Sequence, residues 1–142
     1  MSAPGESDLR HLPIPDADSE PFWGAAREGR LVCRRCTACG HAYHYPRARC
    51  PRCLSDATEW IDLSGEGTVY SYTVVHQAAS RAFRDRVPYV LALVDLDEGP
   101  RLLTNLVEVS PASVTVGLRV RVDWRAEGDD VVLPVFRPLE GA

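Results

Sequence analysis

Two Cys-x-x-Cys pairs constrain this chain more than any other feature. Cys36 and Cys39 form the first pair, Cys50 and Cys53 form the second, and ten residues separate the two pairs. Two residues between thiols let both sulfurs of a tight turn face one ion, and four thiolates make a tetrahedral cage suited to Zn²⁺ or to a rubredoxin-type iron. Because four protein ligands leave no open position, the pattern predicts a structural zinc site that stabilises a segment too small to hold its own core.

A fifth cysteine leaves one alternative open, because Cys33 precedes Cys36 with the same spacing. We favour the pair that Gly40 follows, since the turn after such a pair tends to need the positive φ that glycine adopts readily. Cys33 is then a free thiol on a strand. His41 and His44 could also serve as ligands, but four thiolates suffice, and both histidines are interpreted as surface strand residues.

Composition sets the broad class of the protein. The 142 residues suit one domain or two very small ones, and 45% of them are hydrophobic. No run of apolar residues is long enough for a membrane span, and residues 1–18 are polar and proline-bearing, unlike a secretory or transit peptide. We expect a disordered tail over residues 1–18 and a cytoplasmic location, where five cysteines indicate metal binding rather than disulfides.

Charge is distributed unevenly along the chain. All 16 basic residues are arginine, and the stretch from Arg30 to Cys53 holds six of them and no acidic residue. All 20 acidic residues therefore lie in the rest of the chain. A guanidinium group has the planar fork that suits phosphate. The stretch is interpreted as a basic face that meets either a partner protein or the phosphates of a ligand such as coenzyme A.

Residues 19–30 are expected to form a short helix that packs on the rest of the chain. Ser19 can serve as its N-cap, Pro21 suits the first turn, and Gly29 ends it. Residues 31–57 then form the zinc ribbon, with two short strands at 31–35 and 41–45 around the first cysteine pair. The helix places Phe22 and Trp23 close together at the start of this region.

From residue 58 to residue 142 the pattern is that of strands separated by glycine and proline. Strands are predicted at 59–63, 67–76, 89–96, 101–109, 118–124 and 131–136. About five main strands, one of them long and curved, fit a small OB-fold barrel, with an SH3-like barrel or a small sandwich as alternatives. The link over residues 110–117 is too short for the full helix that many OB-folds carry there.

Sequence motifs for catalysis are absent: the chain has no nucleophile elbow, P-loop or dinucleotide fingerprint. His76 ends the long predicted strand, and it is interpreted as a loop residue rather than a base. The loop over residues 77–87 is polar and carries several arginines, so it is the most plausible binding loop of the barrel. The sequence therefore favours a protein that is not an enzyme on its own.

Together these motifs resemble a family of small bacterial and archaeal proteins, long of unknown function, with an N-terminal helix, a rubredoxin-like zinc ribbon and a C-terminal OB-fold. The resemblance covers residues 20–138. It rests on Pro21-Phe22-Trp23, Gly29-Arg30-Leu31, Cys36-x2-Cys39-Gly40, Pro46-Arg47, Cys50-Pro51-x-Cys53, Glu59-Trp60, and the runs 67–73 and 87–94. Two positions depart from the family pattern. Cys33 replaces a residue that is usually not cysteine, and Leu54 replaces a glycine, which predicts a second cysteine turn that is either strained or open.

The resemblance implies a mainly β protein that acts as a non-catalytic accessory subunit in acyl-CoA metabolism. Partners implied are thiolase-like enzymes, acyl-CoA hydratases and aldolases acting on CoA thioesters, and the OB-fold would help bind acyl-CoA. The implied zinc ligands are Cys36, Cys39, Cys50 and Cys53, and the implied docking aromatics are Phe22 and Trp23. Candidates for contact with CoA phosphates or with the partner are Arg34, Arg35, Arg47, Arg49 and Arg52.

Two other functions remain open from the sequence. Zinc ribbons and OB-folds also bind nucleic acid, but the strand-rich region is acidic, with eight Arg against 13 acidic residues from residue 58 onward. A small redox protein with iron in the four-cysteine site is the second alternative.

Overall fold

The structure, a computed structural model, describes residues 12–139 and consists of one helix followed by strands. The helix α1 spans Glu20–Arg27. The strands are β1 (Val32–Cys36), β2 (Ala42–Tyr43), β3 (Thr58–Asp62), β4 (Glu66–Val75), β5 (Tyr89–Leu96), β6 (Arg101–Leu106), β7 (Arg119–Glu127) and β8 (Val131–Pro138). This order confirms the predicted fold of a short helix, a zinc ribbon and a five-stranded barrel. Over residues 12–139 no helix is long and apolar enough to cross a membrane.

The turn that leads into α1 begins at Asp16, before the N-cap that the sequence predicted at Ser19. Asp16 and Ser19 bond reciprocally: the Ser19 N–H donates to Asp16 Oδ1 at 2.8 Å, and the Asp16 N–H donates to Ser19 Oγ at 3.0 Å. This is the arrangement of a capping box, so the capping role expected for Ser19 belongs to Asp16. The expected disordered tail can be compared only over residues 12–18, because residues 1–11 lie outside the described part of the chain.

Strands β2, β1 and β3 form a three-stranded antiparallel sheet in that order. β3 pairs with β1 over its whole length, from Val32 opposite Asp62 to Cys36 opposite Thr58. The predicted boundary at residues 57 and 58 assigned this strand to the barrel, and the pairing instead places it in the ribbon. The reason is that β1 has an apolar and basic sequence that β3 complements with Trp60 and acidic side chains.

The remaining five strands close into a barrel in the order β4-β5-β6-β8-β7. β4 is long enough to pair with both β5 and β7, and a bulge between Val69 and Ser71 bends it. β6 and β8 close the barrel through a parallel pair in which Leu106 lies opposite Phe136. β6 ends at Leu106, three residues before the predicted end at Val109. The link to β7 holds a single 3₁₀ turn, as its length predicted.

One hydrophobic core joins the helix, the ribbon and the barrel. Phe22 and Ala25 of α1 belong to the same buried cluster as Val32 of β1 and the barrel residues Val120 and Phe136. The buried cysteines of the ribbon form a second cluster with Tyr43. Because the main core is shared, the ribbon is held in a fixed position against the barrel.

Candidate metal centre and the surrounding clefts

The four predicted zinc ligands come together in the ribbon. The Sγ atoms of Cys36, Cys39, Cys50 and Cys53 all lie within 4.8 Å of one another. Cys36 Sγ is 3.5 Å from Cys53 Sγ, and Cys39 Sγ is 3.6 Å from Cys50 Sγ. A zinc ion with four bonds of about 2.3 Å needs sulfurs about 3.8 Å apart, so the four thiols fit a tetrahedral site.

The backbone around these thiols favours their ionised form. The pKa of Cys36 is lowered, chiefly by the N–H of Cys39. Burial opposes ionisation of Cys50, but the N–H groups of Cys53 and Arg52 outweigh it and lower its pKa to about 7. The N–H of Ser55 favours the Cys53 thiolate, yet hydrogen bonds with the other three thiols, together with burial, raise the Cys53 pKa to about 11. Because the metal binds the thiolate form of each ligand, metal binding would release the protons that the thiols still hold.

Cys33 takes no part in this cluster. It lies on β1 opposite Ile61, with 2% of its surface exposed. Burial is the main cause that raises the pKa of its thiol to about 11. A buried, protonated thiol is a poor ligand and a poor nucleophile, so Cys33 acts as a small core residue.

The basic stretch is partly neutralised by β3. Arg35 lies opposite Glu59, and its Nη2 atom is 2.6 Å from Glu59 Oε1. Arg30 Nη1 lies 2.8 Å from Asp62 Oδ1 at the other end of β3. The sequence could not reveal this, because both acids follow the basic stretch in the chain and meet it only through strand pairing.

Arg34 is also engaged within the ribbon. Its guanidinium carbon lies 5.2 Å from the centre of the Trp60 ring, and its Nη2 donates to Thr58 Oγ1 at 2.6 Å. Arg47, Arg49 and Arg52 are exposed and have no acidic partner within residues 12–139. These three are the arginines of the candidate set whose charge stays available for a ligand or a partner.

The two aromatic side chains of α1 have different environments. Phe22 is 4% exposed and packs in the shared core, where its ring meets Trp23 at 4.9 Å with the planes 89° apart. Phe22 therefore positions the helix rather than offering an exposed docking ring. Trp23 is only partly buried, and a direct contact with a partner stays a prediction for this residue.

A groove of about 300 Å³ lies where the helix, the ribbon and the barrel meet. We call it the junction groove. Its apolar walls include Trp23, Tyr45, Leu103 and Leu133, and its polar groups include Arg125. Tyr45 is 61% exposed and Leu103 is 50% exposed, so both large side chains border the groove without being covered by the rest of residues 12–139. Such a junction is typical of a binding surface.

The sequence suggested a surface position for His44. The structure instead packs its side chain beside the junction groove. Its ring centre lies 5.2 Å from that of Phe22 and 4.8 Å from that of Tyr45. Burial lowers its pKa to about 4. The neutral imidazole thus serves as an apolar contact between α1 and the ribbon.

The predicted binding loop, residues 77–87, is held against the barrel by an ion pair. Arg86 donates from Nη1 and Nη2 to the two carboxylate oxygens of Glu127, both at 2.9 Å. Arg125 Nε lies 3.0 Å from the same carboxylate. A cavity of about 250 Å³ lies beneath the loop, lined by Phe83, Arg86 and Arg125 among others.

Sequence reasoning missed the groove residues Tyr45, Leu103 and Arg125. One signal was available for Leu103: β5 and β6 alternate between buried residues and outward leucines, namely Leu91, Leu93 and Leu103. A strand exposed on one face should alternate with polar residues there. Apolar residues at these positions make the outer face of the barrel a candidate binding surface.

Comparison with known proteins identifies the family. Residues 23–59 match the model described as the ChsH2 rubredoxin-like zinc ribbon domain, and residues 60–125 match the ChsH2 C-terminal OB-fold domain. The chain belongs to the DUF35 family of ChsH2-type proteins. This family assignment confirms the predicted zinc ribbon and its four-cysteine metal site.

Relatives of this DUF35 protein include a probable enoyl-CoA hydratase alpha subunit from Thermomonospora curvata, 42% identical over 92% of this chain and 40% of that protein. This chain thus spans less than half of that longer relative. A DUF35 domain-containing scaffold protein from Methanocaldococcus jannaschii is 38% identical over 78% of this chain and 82% of its own length.

Among solved structures, the Ltp2-ChsH2(DUF35) aldolase contains a chain with 42% identity and a TM-score of 0.80. The match covers 89% of this chain and 98% of that one. The helix, ribbon and barrel described above are therefore an arrangement that this structure shares.

Proposed function

We propose that this DUF35 protein is a non-catalytic accessory subunit that docks on an enzyme acting on CoA thioesters and helps bind acyl-CoA. Its relatives carry the names of a hydratase subunit, a scaffold protein and part of an aldolase complex, which supports this function. Thiolase-like enzymes, hydratases and aldolases are the proposed partners. We also propose a cytoplasmic location, in keeping with five cysteines that are all free thiols in the structure.

The observation that carries the proposal is the junction groove. It combines exposed Tyr45 and Leu103 with the partly buried Trp23 on a surface that the described part of the chain leaves open. Large apolar side chains at such a junction are typical of protein interfaces, where aromatic residues contribute most of the binding energy. Four protein thiolates leave no position for a substrate on the ion, so the metal centre would be structural. Its role would be to fix the ribbon side of this groove.

Native mass spectrometry of the tagged protein, purified gently from its own host, tests the proposal. We expect an assembly that contains a hydratase-like, thiolase-like or aldolase-like subunit. Leu103→Asp should dissociate this assembly, because a carboxylate would be buried without a partner. Val116→Asp is the matched control, since Val116 is 66% exposed and does not line the groove. A chain that stays alone, or two variants that behave alike, would contradict the docking role.

A further inference from the structure

A second cleft, of about 440 Å³, lies between the ribbon and the β5–β6 hairpin. Its walls combine four aromatic or imidazole rings with two guanidinium groups: His41, Tyr43, His44, Tyr45, Arg47 and Arg101. No carboxylate is among the residues that line it within the described part of the chain. Rings together with cations suit a ligand that is both aromatic and anionic.

The two guanidinium groups differ in how much of their hydrogen-bonding capacity is left for a ligand. Arg101 is held in place by Asp95, to which its Nε and Nη2 atoms donate at 2.6 and 3.2 Å, and it lies 3.5 Å from the Tyr70 ring centre. A guanidinium has five N–H donors, so the bonds to Asp95 leave others for a ligand. Arg47 is exposed and has no acidic partner within residues 12–139, and its carbonyl accepts the Tyr43 hydroxyl at 2.8 Å.

Tyr45 places an exposed ring at the edge of this cleft. Its backbone has φ of 45°, a left-handed conformation that is uncommon for a bulky residue. A glycine or asparagine would adopt this conformation at less cost, so a tyrosine here indicates that its ring is needed. The residue is 61% exposed even though its ring packs against His44, so part of the side chain is open to a planar ligand.

Because a nucleoside phosphate presents one planar base and several anionic oxygens, it matches this set of groups. We propose that the cleft binds the nucleoside-phosphate end of CoA, with the base on the Tyr45 ring and the phosphates on Arg47 and Arg101. This inference rests on the proposed function and adds a site for one part of the ligand. Tyr45 lines both the cleft and the junction groove, so a CoA bound here would direct its thioester end toward the docked partner.

Titration calorimetry on the zinc-loaded full chain, without partner, tests the site. The probes are CoA, adenosine 3′,5′-bisphosphate, ADP and pantetheine. CoA and the bisphosphate should bind with similar affinity, ADP more weakly, and pantetheine not at all. Arg47→Ala and Tyr45→Ala should each weaken CoA binding about tenfold, which is the effect of losing one stacked base or one charged contact. Arg121→Ala is the matched control, because Arg121 is exposed and lies outside the cleft.

Several outcomes would overturn the inference. Pantetheine binding as tightly as CoA would show that the protein holds CoA by its pantetheine end and not by its nucleoside phosphate. Equal effects of Arg47→Ala and Arg121→Ala would mean attraction by diffuse charge, and equal affinity for ADP would assign the cleft to free nucleotides. Absence of CoA binding would also refute it. These results are separate from the docking test, since native mass spectrometry can find the partner whether or not the isolated chain binds CoA.

Discussion

Gly40 and Leu54 occupy equivalent positions in the two cysteine turns. Each N–H donates to the carbonyl of the first cysteine of its pair, from Gly40 to Cys36 at 2.8 Å and from Leu54 to Cys50 at 2.9 Å. Both backbones are left-handed, with φ of 80° at Gly40 and 67° at Leu54. The ribbon thus uses one turn twice, once with glycine and once with a side chain that must accept the same conformation.

This relationship predicts opposite effects of two substitutions on stability. Leu54→Gly should raise the stability of the zinc-loaded protein by about 0.5 kcal/mol, because relief of the left-handed strain exceeds the added entropy of the unfolded chain. Gly40→Ala should lower it by about 1 kcal/mol through strain alone, since a Cβ at Gly40 would meet no heavy atom within 4 Å. Thermal unfolding monitors both, and changes of the same sign would contradict the equivalence of the turns.

Loss of one ligand should remove the metal. Cys39→Ser replaces an exposed thiol of the cluster with a weaker ligand, so zinc content measured on the purified protein should fall from about one ion per chain to near zero. Circular dichroism should then show loss of the ribbon strands. Cys33→Ser is the control and should keep its zinc. A Cys39→Ser protein that retains the ion, or a Cys33→Ser protein that loses it, would refute the ligand assignment.

The ion pair under the loop at residues 77–87 should matter more than the exposed pairs. The Glu127 side chain is 11% exposed, whereas that of Asp62 is 69% exposed. Glu127→Ala leaves Arg86 without its carboxylate in a partly buried site, and we expect a loss of about 2 kcal/mol in urea unfolding. Asp62→Ala should leave the midpoint nearly unchanged, because the pair it breaks lies in water. Equal losses of stability in the two variants would show that burial does not determine how much each ion pair stabilises the protein.

His44 predicts a pH dependence of stability. Its folded pKa of about 4 lies below its ordinary value of 6.5, so the unfolded chain binds a proton in this range before the folded chain does. The His44 contribution is therefore complete above pH 6.5 and decreases as the pH falls toward about 4, by at most about 3 kcal/mol.

His44→Phe keeps a ring between Phe22 and Tyr45 and removes the titrating group. The difference between wild-type and variant urea midpoints should widen in favour of the variant as the pH falls from 6.5 to about 4. Taking the difference cancels the acid release of zinc that both proteins share. A constant difference across this range would mean that His44 has the same pKa in the folded and unfolded chain.

The metal centre was predictable because its information is local. A two-residue spacing fixes which thiols can share an ion, and Gly40 identifies the correct pair without knowledge of the fold. The barrel strands were predictable for a similar reason, since alternation and glycine or proline boundaries are read over short windows. The strained turn at Leu54 was likewise expected from the glycine that usually occupies its position.

What the sequence could not supply depends on contacts between distant segments. The neutralisation of Arg35 by Glu59 follows from strand register, and the burial of Phe22 follows from where α1 meets β8. The capping role of Asp16 was missed because Ser19 offers an equally good signal closer to the helix. The junction groove requires five separate segments of the chain to meet, and no window of sequence contains that information.

The position of β3 has a practical consequence for recombining members of this family. The two domain models meet between residues 59 and 60, which is inside β3. A chimera joined there would split one strand between two parents and separate Arg34 from the Trp60 ring that it packs over. A joint after Asp62, at Ser64, would move the whole three-stranded sheet as one unit. Ribbons exchanged at that joint are the ones expected to carry a working metal centre onto a foreign barrel.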